Sequence, residues 1–541
     1  MKPGHRRASR PRLCPIATGL ALALSTAAMA TADRVPGTAL RHMPALSAAL
    51  AERDISRATG WRPATPAAPE DTDALLAAWQ QRPRRALPSL LHDTSRGGAT
   101  HTVTNCNDDG AGSFREAMIT AADNDVIDLS GLSCSTITLT GGWVEVGVDN
   151  LTIVGPGAQA LALVGIEHGG GILGHLGAGT LTVQALTLRD GHHHSFTSAI
   201  NAMGGCVLST GSVTLVESLV TGCTVSTSAE MAAIGGGIVA YNDVTLIGSA
   251  IANSRAVNTF VGPPTRGGAV AAGGGIYAGG HLSLIDSVIS GNTAQSDTGM
   301  SLAGGVASAG LNSKYSILAN NAAAAGGAIY SGRAINLAST AIVGNQGYVA
   351  AAASLIGTSS SDILISNSTV AHNVSDYGYA MYLEADTVIS NSTIAHNICV
   401  DPACTSAGIV FGGSDTLTMQ SSVVAENVAI ATGDRLDLIA GDPELVVAGT
   451  NNLVTGSEVT LPADTLSVRP KLSQTVRFLA GTLVLVPKGN SPVLNAGANP
   501  NGYTWDQRGG EFARESGPAT DIGAFEMDWS EHLFADDFGD D

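Results

Sequence analysis

The phrase ISNSTVAHN at residues 365–373 returns as ISNSTIAHN at residues 389–397, an offset of 24 residues. A catalytic residue is needed once. A phrase repeated at fixed spacing marks a structural unit that cannot bury its apolar face alone and stacks on copies of itself. The repeat aligns on a Ser or Thr at Ser218, Ser249, Ser287, Ser316, Thr340, Ser368, Ser392 and Ser422, spaced 24 to 38 residues apart. Five positions later stand Cys223, Ser254, Asn292, Asn321, Asn345, Asn373, Asn397 and Asn427.

Apolar residues recur around each anchor. Two positions after it come Val220, Ile251, Ile289, Leu318, Ile342, Val370, Ile394 and Val424; three before it sit Leu215, Leu246, Leu284, Leu337, Ile365, Ile389 and Met419. A third row, eleven before, holds Val207, Ile238, Ile276, Ile329, Met381 and Phe411, often after a glycine pair. Each unit thus offers about three short strands with one face inward, and glycines permit the corners between them. Stacked coils of this kind predict an all-β fold, a right-handed single-stranded parallel β-helix. Like side chains then superimpose one inter-strand spacing apart, roughly 4.8 Å, so that the asparagines form a ladder at one corner. With 66 Gly, 4% aromatic and 13% charged residues, the composition favours such a tightly turning, β-prone chain.

The flanks differ from the repeat. Residues 1–30 carry a basic start, an apolar run and a small-residue end at Ala28-Met29-Ala30, the pattern of a secretory signal peptide. No later apolar run is long enough for a transmembrane helix. Residues 31–100 are rich in Ala, Pro and Arg with one helical phrase, DTDALLAAWQQ, and read as a linker or propeptide. Residues 101–150 bring a strand, a glycine turn, a short helix opened by Ser113 and a second strand, suited to an N-terminal cap. The repeats fill 151–430, further coils and an irregular C-terminal cap 431–527, and an acidic tail 528–541.

Export agrees with cysteine usage. Cys14 lies in the leader; Cys106, Cys134, Cys206, Cys223, Cys399 and Cys404 remain. They are disulfide candidates, Cys399 with Cys404 the most local, though six cysteines permit 15 connectivities. The chain carries a net charge of −19 and lacks a basic stripe, which excludes nucleic acid as a partner.

Two end segments carry a resemblance. DDGAGSFREAM, at residues 108–118, is similar to the opening of polymorphic outer-membrane-protein-like helices, with Phe114 where Leu is commoner. SPVLNAGAN, DQRG and DIGAFE, at 491–499, 506–509 and 521–526, resemble the choice-of-anchor Q signature of exported proteins in the pectin-lyase-like superfamily, with Asn495 where Asp is commoner. The resemblance implies a β-helix displayed or secreted outside the cell, and no particular reaction.

That superfamily includes polysaccharide lyases and hydrolases, whose chemistry needs paired acid and base groups. The DGHHH phrase at 190–194 has no paired aspartates near it, and Arg255, Arg266, Lys314 and Arg333 have no cluster of Ca²⁺-binding carboxylates beside them in sequence. Asp362 and Asp386 both stand six residues before their anchors and should stack about 5 Å apart, a separation suited to a retaining glycosidase, although turn chemistry also explains an Asp there. His372, His396 and Glu426 occupy one position in three consecutive coils, a candidate metal row or a solvent-facing polar row. His192, His193 and His194 read as a solvated loop. The acidic end could gather Ca²⁺ by charge alone, but without EF-hand spacing no ligand is assigned, and no other cofactor is indicated. The expected function is a non-catalytic, adhesin-like or glycan-contacting surface rod, with polysaccharide or a host-surface glycan as partner. The alternatives are a carbohydrate-active enzyme, lyase or hydrolase, with an atypical site on the helix face, and a structural role in the envelope.

Overall fold

The computed structural model describes residues 61–62, 69–82 and 98–528, apart from 168–169, 197–200, 263–268, 358–362, 403, 405, 413–415, 431–432, 434–435 and 442–444. Its strands form one 21-stranded, one 12-stranded and three four-stranded sheets, in which every neighbour is parallel, and one two-stranded antiparallel sheet, Arg477–Leu479 with Thr482–Val484. This is a parallel β-helix. The large sheet contains two ladders, joined where the long strands Ile276–Ile285 and Val306–Lys314 run through the bend between them.

The three apolar rows are the core. Val220, Ile251, Ile289, Leu318, Ile342, Val370, Ile394 and Val424 are register partners coil after coil, and all are buried. Each inward aliphatic contributes on the order of 2 kcal/mol, so that a single coil cannot offset its own ordering entropy. One assignment shifts: Met381 pairs with Ile409, while Phe411 pairs with Leu383. Two inward positions lie two residues apart on the same strand, and apolarity alone could not distinguish them. Many coils also hold more strands than three. Thr224–Thr227 and Ala233–Ile234 build two further small ladders after the third strand.

Corners are made by a repeated pair of residues. A left-handed residue, Gly222, Asn253, Gly291, Asn320, Gly344, His372, His396 or Glu426, turns the chain with φ between 50° and 69°. The next residue is the ladder residue. From Asn292 to Asn397 each asparagine donates from its backbone N–H and its Nδ2 to Oδ1 of the asparagine one coil on, at 2.7–3.1 Å. Asn427 ends the ladder on Asp437 Oδ1, at 2.9 and 2.8 Å. The serine row forms a second ladder, with Ser368 N–H donating to Ser392 Oγ and Ser392 N–H to Ser422 Oγ, both at 3.2 Å.

Among the described residues two helices flank the coils. Helix α1, Pro69–Gln81, lies on the outside of the 12-stranded sheet, where Leu76 and Trp79 pack on Ala250, Val288 and Ile317. Arg82 pairs with Asp286 at 2.5 Å. Helix α2, Phe114–Thr120, is capped by Ser113, whose Oγ accepts from Glu116 N–H at 3.2 Å, and it buries Phe114 and Met118 in the end of the core. The six cysteines among the described residues pair: Cys106 with Cys134, Cys206 with Cys223, Cys399 with Cys404.

The C-terminal phrases SPVLNAGAN, DQRG and DIGAFE meet in one buried cap. Asp506 holds Arg508, which donates to Oδ2 at 2.9 and 2.8 Å and lies between the rings of Phe512 and Phe525. Arg514, fully buried, donates to Glu526 Oε2 at 3.0 Å and to the carbonyls of Asp521 and Gly523. Asn495 takes a left-handed turn at φ 54° and donates its N–H to Asp521 Oδ1. The corner residues Asn367 and Asn391 fasten this cap along the side of the coils through the carbonyls of Trp505 and Ala498, both at 3.0 Å. The DQRG and DIGAFE phrases therefore act as a structural lock.

Candidate functional site

Outward positions of the first ladder converge on an aromatic strip. Tyr277, Tyr330 and Tyr382 each follow an inward aliphatic residue by one, so strand alternation points them away from the core. Their register partners in the coils between are Ala307 and Ser354. A tyrosine thus appears every second coil, roughly 10 Å apart. Tyr348 and Tyr377, from turns of adjacent coils, stack with centroids 5.7 Å apart, and Tyr379 lies 6.0 Å from Tyr382. Tyr241 joins the same cluster, so it holds seven of the chain's nine tyrosines. In a chain only 4% aromatic, that concentration is the most pronounced side-chain asymmetry among the described residues, and Tyr330, Tyr348, Tyr379 and Tyr382 are buried within it.

Carboxylates stand among the rings. Tyr382 Oη donates to Glu384 Oε2 at 3.3 Å. Burial, then Glu384, pushes the Tyr382 hydroxyl up, and burial likewise raises Tyr330 and Tyr277, so these phenols stay protonated hydrogen-bond donors. Gly412 leaves room for Tyr382, since a Cβ there would overlap its hydroxyl. The strip is covered in part by the N-terminal segment: Trp61 is buried among the tyrosines and its Nε1 donates to Asp376 Oδ2 at 2.5 Å, while Arg62 reaches Asp297 at 2.8 Å.

The residues singled out in the sequence lie elsewhere. Asp362 is outside the described residues. Asp386 is exposed and accepts from Thr416 N–H at 2.8 Å and Thr416 Oγ1 at 2.6 Å, bonds that hold its carboxyl below the usual range. It is a turn carboxylate.

His372, His396 and Glu426 do superimpose. The imidazoles stack 5.5 Å apart, and His396 Nδ1 is 3.8 Å from Glu426 Oε2. They do not face open solvent as a polar row would: the side chains of His396 and Glu426 are only 12% and 15% exposed, and Arg469 lies 4.0 Å from Glu426 on the far side. Burial, then the neighbouring His396, pushes His372 down to about 4. Among the described residues no group of three or more His, Cys, Asp or Glu is arranged to hold a metal ion.

The histidine triplet is a strand, His192–Ser195, paired with Thr224–Thr227, rather than a loop. Alternation sends His192 and His194 to Ser226 Oγ, at 3.0 and 2.7 Å, and His193 to the carbonyl of Met203 and the edge of Trp143. A separate cavity of about 390 Å³ opens beside α1, walled by Trp79, Arg82, Pro156, Glu217 and Asp286. Among the described residues no helix is long and apolar enough to cross a membrane.

The aromatic strip escaped sequence reasoning, although its signal was present. The phrases GGGIY, GGAIY and AMYLE each place a tyrosine directly after a core-row residue.

No family model matches the chain, and no curated protein matches it. Among solved structures, a PL6 alginate lyase in complex with a trisaccharide is similar over 73% of this chain and 92% of its own, at 13% identity and a TM-score of 0.24. A likeness of that extent carries no argument about activity.

Proposed function

We propose that this chain is an exported, surface-displayed or secreted β-helix protein that contacts glycans through its tyrosine strip without turning them over. The observation that supports this most is the ladder register of Tyr277, Tyr330 and Tyr382. Tyr330 and Tyr382 are covered as the chain stands; once uncovered, aromatic faces about 10 Å apart would match the advance of two sugar rings along an extended chain, and protonated phenols would donate to sugar hydroxyls. The signal-peptide pattern of residues 1–30 and the choice-of-anchor Q resemblance of 491–526 support export. Immobilised glycans of varied composition test the proposal: the full chain should be retained by at least one, and Tyr330→Ala should weaken that retention about tenfold or more. Equal retention of the variant would contradict it.

A second reading keeps the same strip but makes it catalytic. Tyr382 beside Glu384 supplies a proton donor next to a carboxylate, which is the minimum for acid–base work on a glycosidic bond. Polysaccharide assays with and without Ca²⁺ separate the two readings, since turnover lost in Glu384→Gln would favour the enzyme.

A further inference from the structure

Trp61 and Arg62 cover part of the tyrosine strip from more than two hundred residues away in sequence, so that their departure would open a groove there, and they do so with opposite halves of one chemistry. The indole lies among the aromatic side chains and gives its N–H to Asp376, and the guanidinium gives a full positive charge to Asp297. An apolar ring flanked by a donor and a cation is also what an amino sugar presents: C–H faces for stacking, hydroxyl donors and an ammonium group.

The carboxylates around the strip point the same way, and the cation Arg333 beside them counts against it. Asp297 and Asp376 line its turn side, and Glu384 stands two residues beyond Tyr382 on the same strand face. Arg333 is exposed at the bend beyond Tyr330. When Arg62 leaves, Asp297 gives up its cation and the groove becomes more negative. A polyuronate would then meet like charge.

We propose that Trp61 and Arg62 occupy, in cis, the seat of an amino-bearing glycan, and that this ligand must displace them to bind. This rests on the glycan-contact reading above and adds two things to it, the class of glycan and the intramolecular competitor. Because the open groove is only a fraction of the population, the apparent affinity is lowered by that fraction, and removing the competitor restores it.

The test compares a glucosamine hexamer, a glucose hexamer and a uronate hexamer on the full chain, on Trp61→Ala and on Trp61→Phe, by calorimetry, with hydrogen exchange on the groove strands. The glucosamine hexamer should bind Trp61→Ala about tenfold tighter than the parent, with Trp61→Phe between them, since phenylalanine keeps the ring contact but loses the N–H. Added salt should weaken it. The proposal is overturned if neither variant gains affinity, or if the uronate hexamer binds as well as the glucosamine hexamer, while the strands at Tyr330 and Tyr382 are still protected; the groove then stands without its competitor or its charge preference. No hexamer protecting those strands in any form of the chain would overturn the groove reading itself, and this inference with it. Should Trp61→Ala not fold, Trp61→Phe alone decides the sign.

Discussion

Asn373 donates to a single acceptor twice: its backbone N–H at 3.0 Å and its Nδ2 at 2.9 Å both reach Oδ1 of Asn397, one coil away. Its own Oδ1 receives the same pair from Asn345, both at 2.9 Å. The corner is thereby dry and satisfied. Asn373→Ala would strand the buried backbone N–H of Asn345, leave Asn345 Nδ2 only the carbonyls of Leu318 and Val343, and remove one donor from the carbonyl of Ile342; it should cost about 1–3 kcal/mol in urea unfolding. A loss near zero would mean that water repairs the corner.

Ile389 stacks between Ile365 and Met419 in the middle inward row and is fully buried. Ile389→Asp places an unpaired carboxylate there and should lower the unfolding temperature sharply, by several kcal/mol of stability. An unchanged melt would reject the inward assignment.

Asp437 closes the asparagine ladder, and burial raises its carboxyl from its ordinary value to about 6. A raised folded-state pKa means that the folded form holds the proton more tightly, so the stabilising contribution is complete below about 3.8 and is lost as pH rises through 6. The difference is on the order of 3 kcal/mol. Asp437→Asn keeps an acceptor for Asn427 and should flatten this dependence, with stability at pH 7 held or increased. A parent chain equally stable at pH 4.5 and 7 in this respect, with no difference from the variant, would contradict the assignment.

His372 works in the opposite sense. Its pKa is depressed, so its contribution is present above about 6.5 and is lost as pH falls toward 4. His372→Asn suits the left-handed corner at φ 54° and should remove the acid-side loss, read as a smaller drop in melting temperature between pH 6.5 and 4. An identical drop in both would place the acid sensitivity elsewhere.

Asp386→Ala should leave glycan retention and any turnover unchanged, because the carboxylate only ties the turn at Thr416. Turnover abolished by this substitution would return the aspartate row to candidacy.

The ladders were legible because each coil poses the same problem at the same place, and Ser, Asn and the aliphatic rows answer it with the same residue. The Phe411 shift was not, since period-2 alternation makes Ile409 and Phe411 equally inward. Polar strands such as His192–Ser195 read as loops because their stability comes from the neighbouring coil rather than from their own apolarity. His372 and His396 were expected at the surface because only the fold brings the backbone of Ser473 against His396 and Arg469 beside Glu426. Trp61 is the extreme case. Its partner Asp376 is 315 residues away, and no local pattern encodes that contact.

Hydrogen exchange of the chain with and without a retained oligosaccharide bears most directly on where the function resides. Added protection should concentrate in Ile276–Ile285, Ile329–Gly332 and Met381–Glu384, the strands that carry the tyrosines. Protection confined to the 12-stranded sheet or to the cavity beside α1, with these three strands unchanged, would contradict the account.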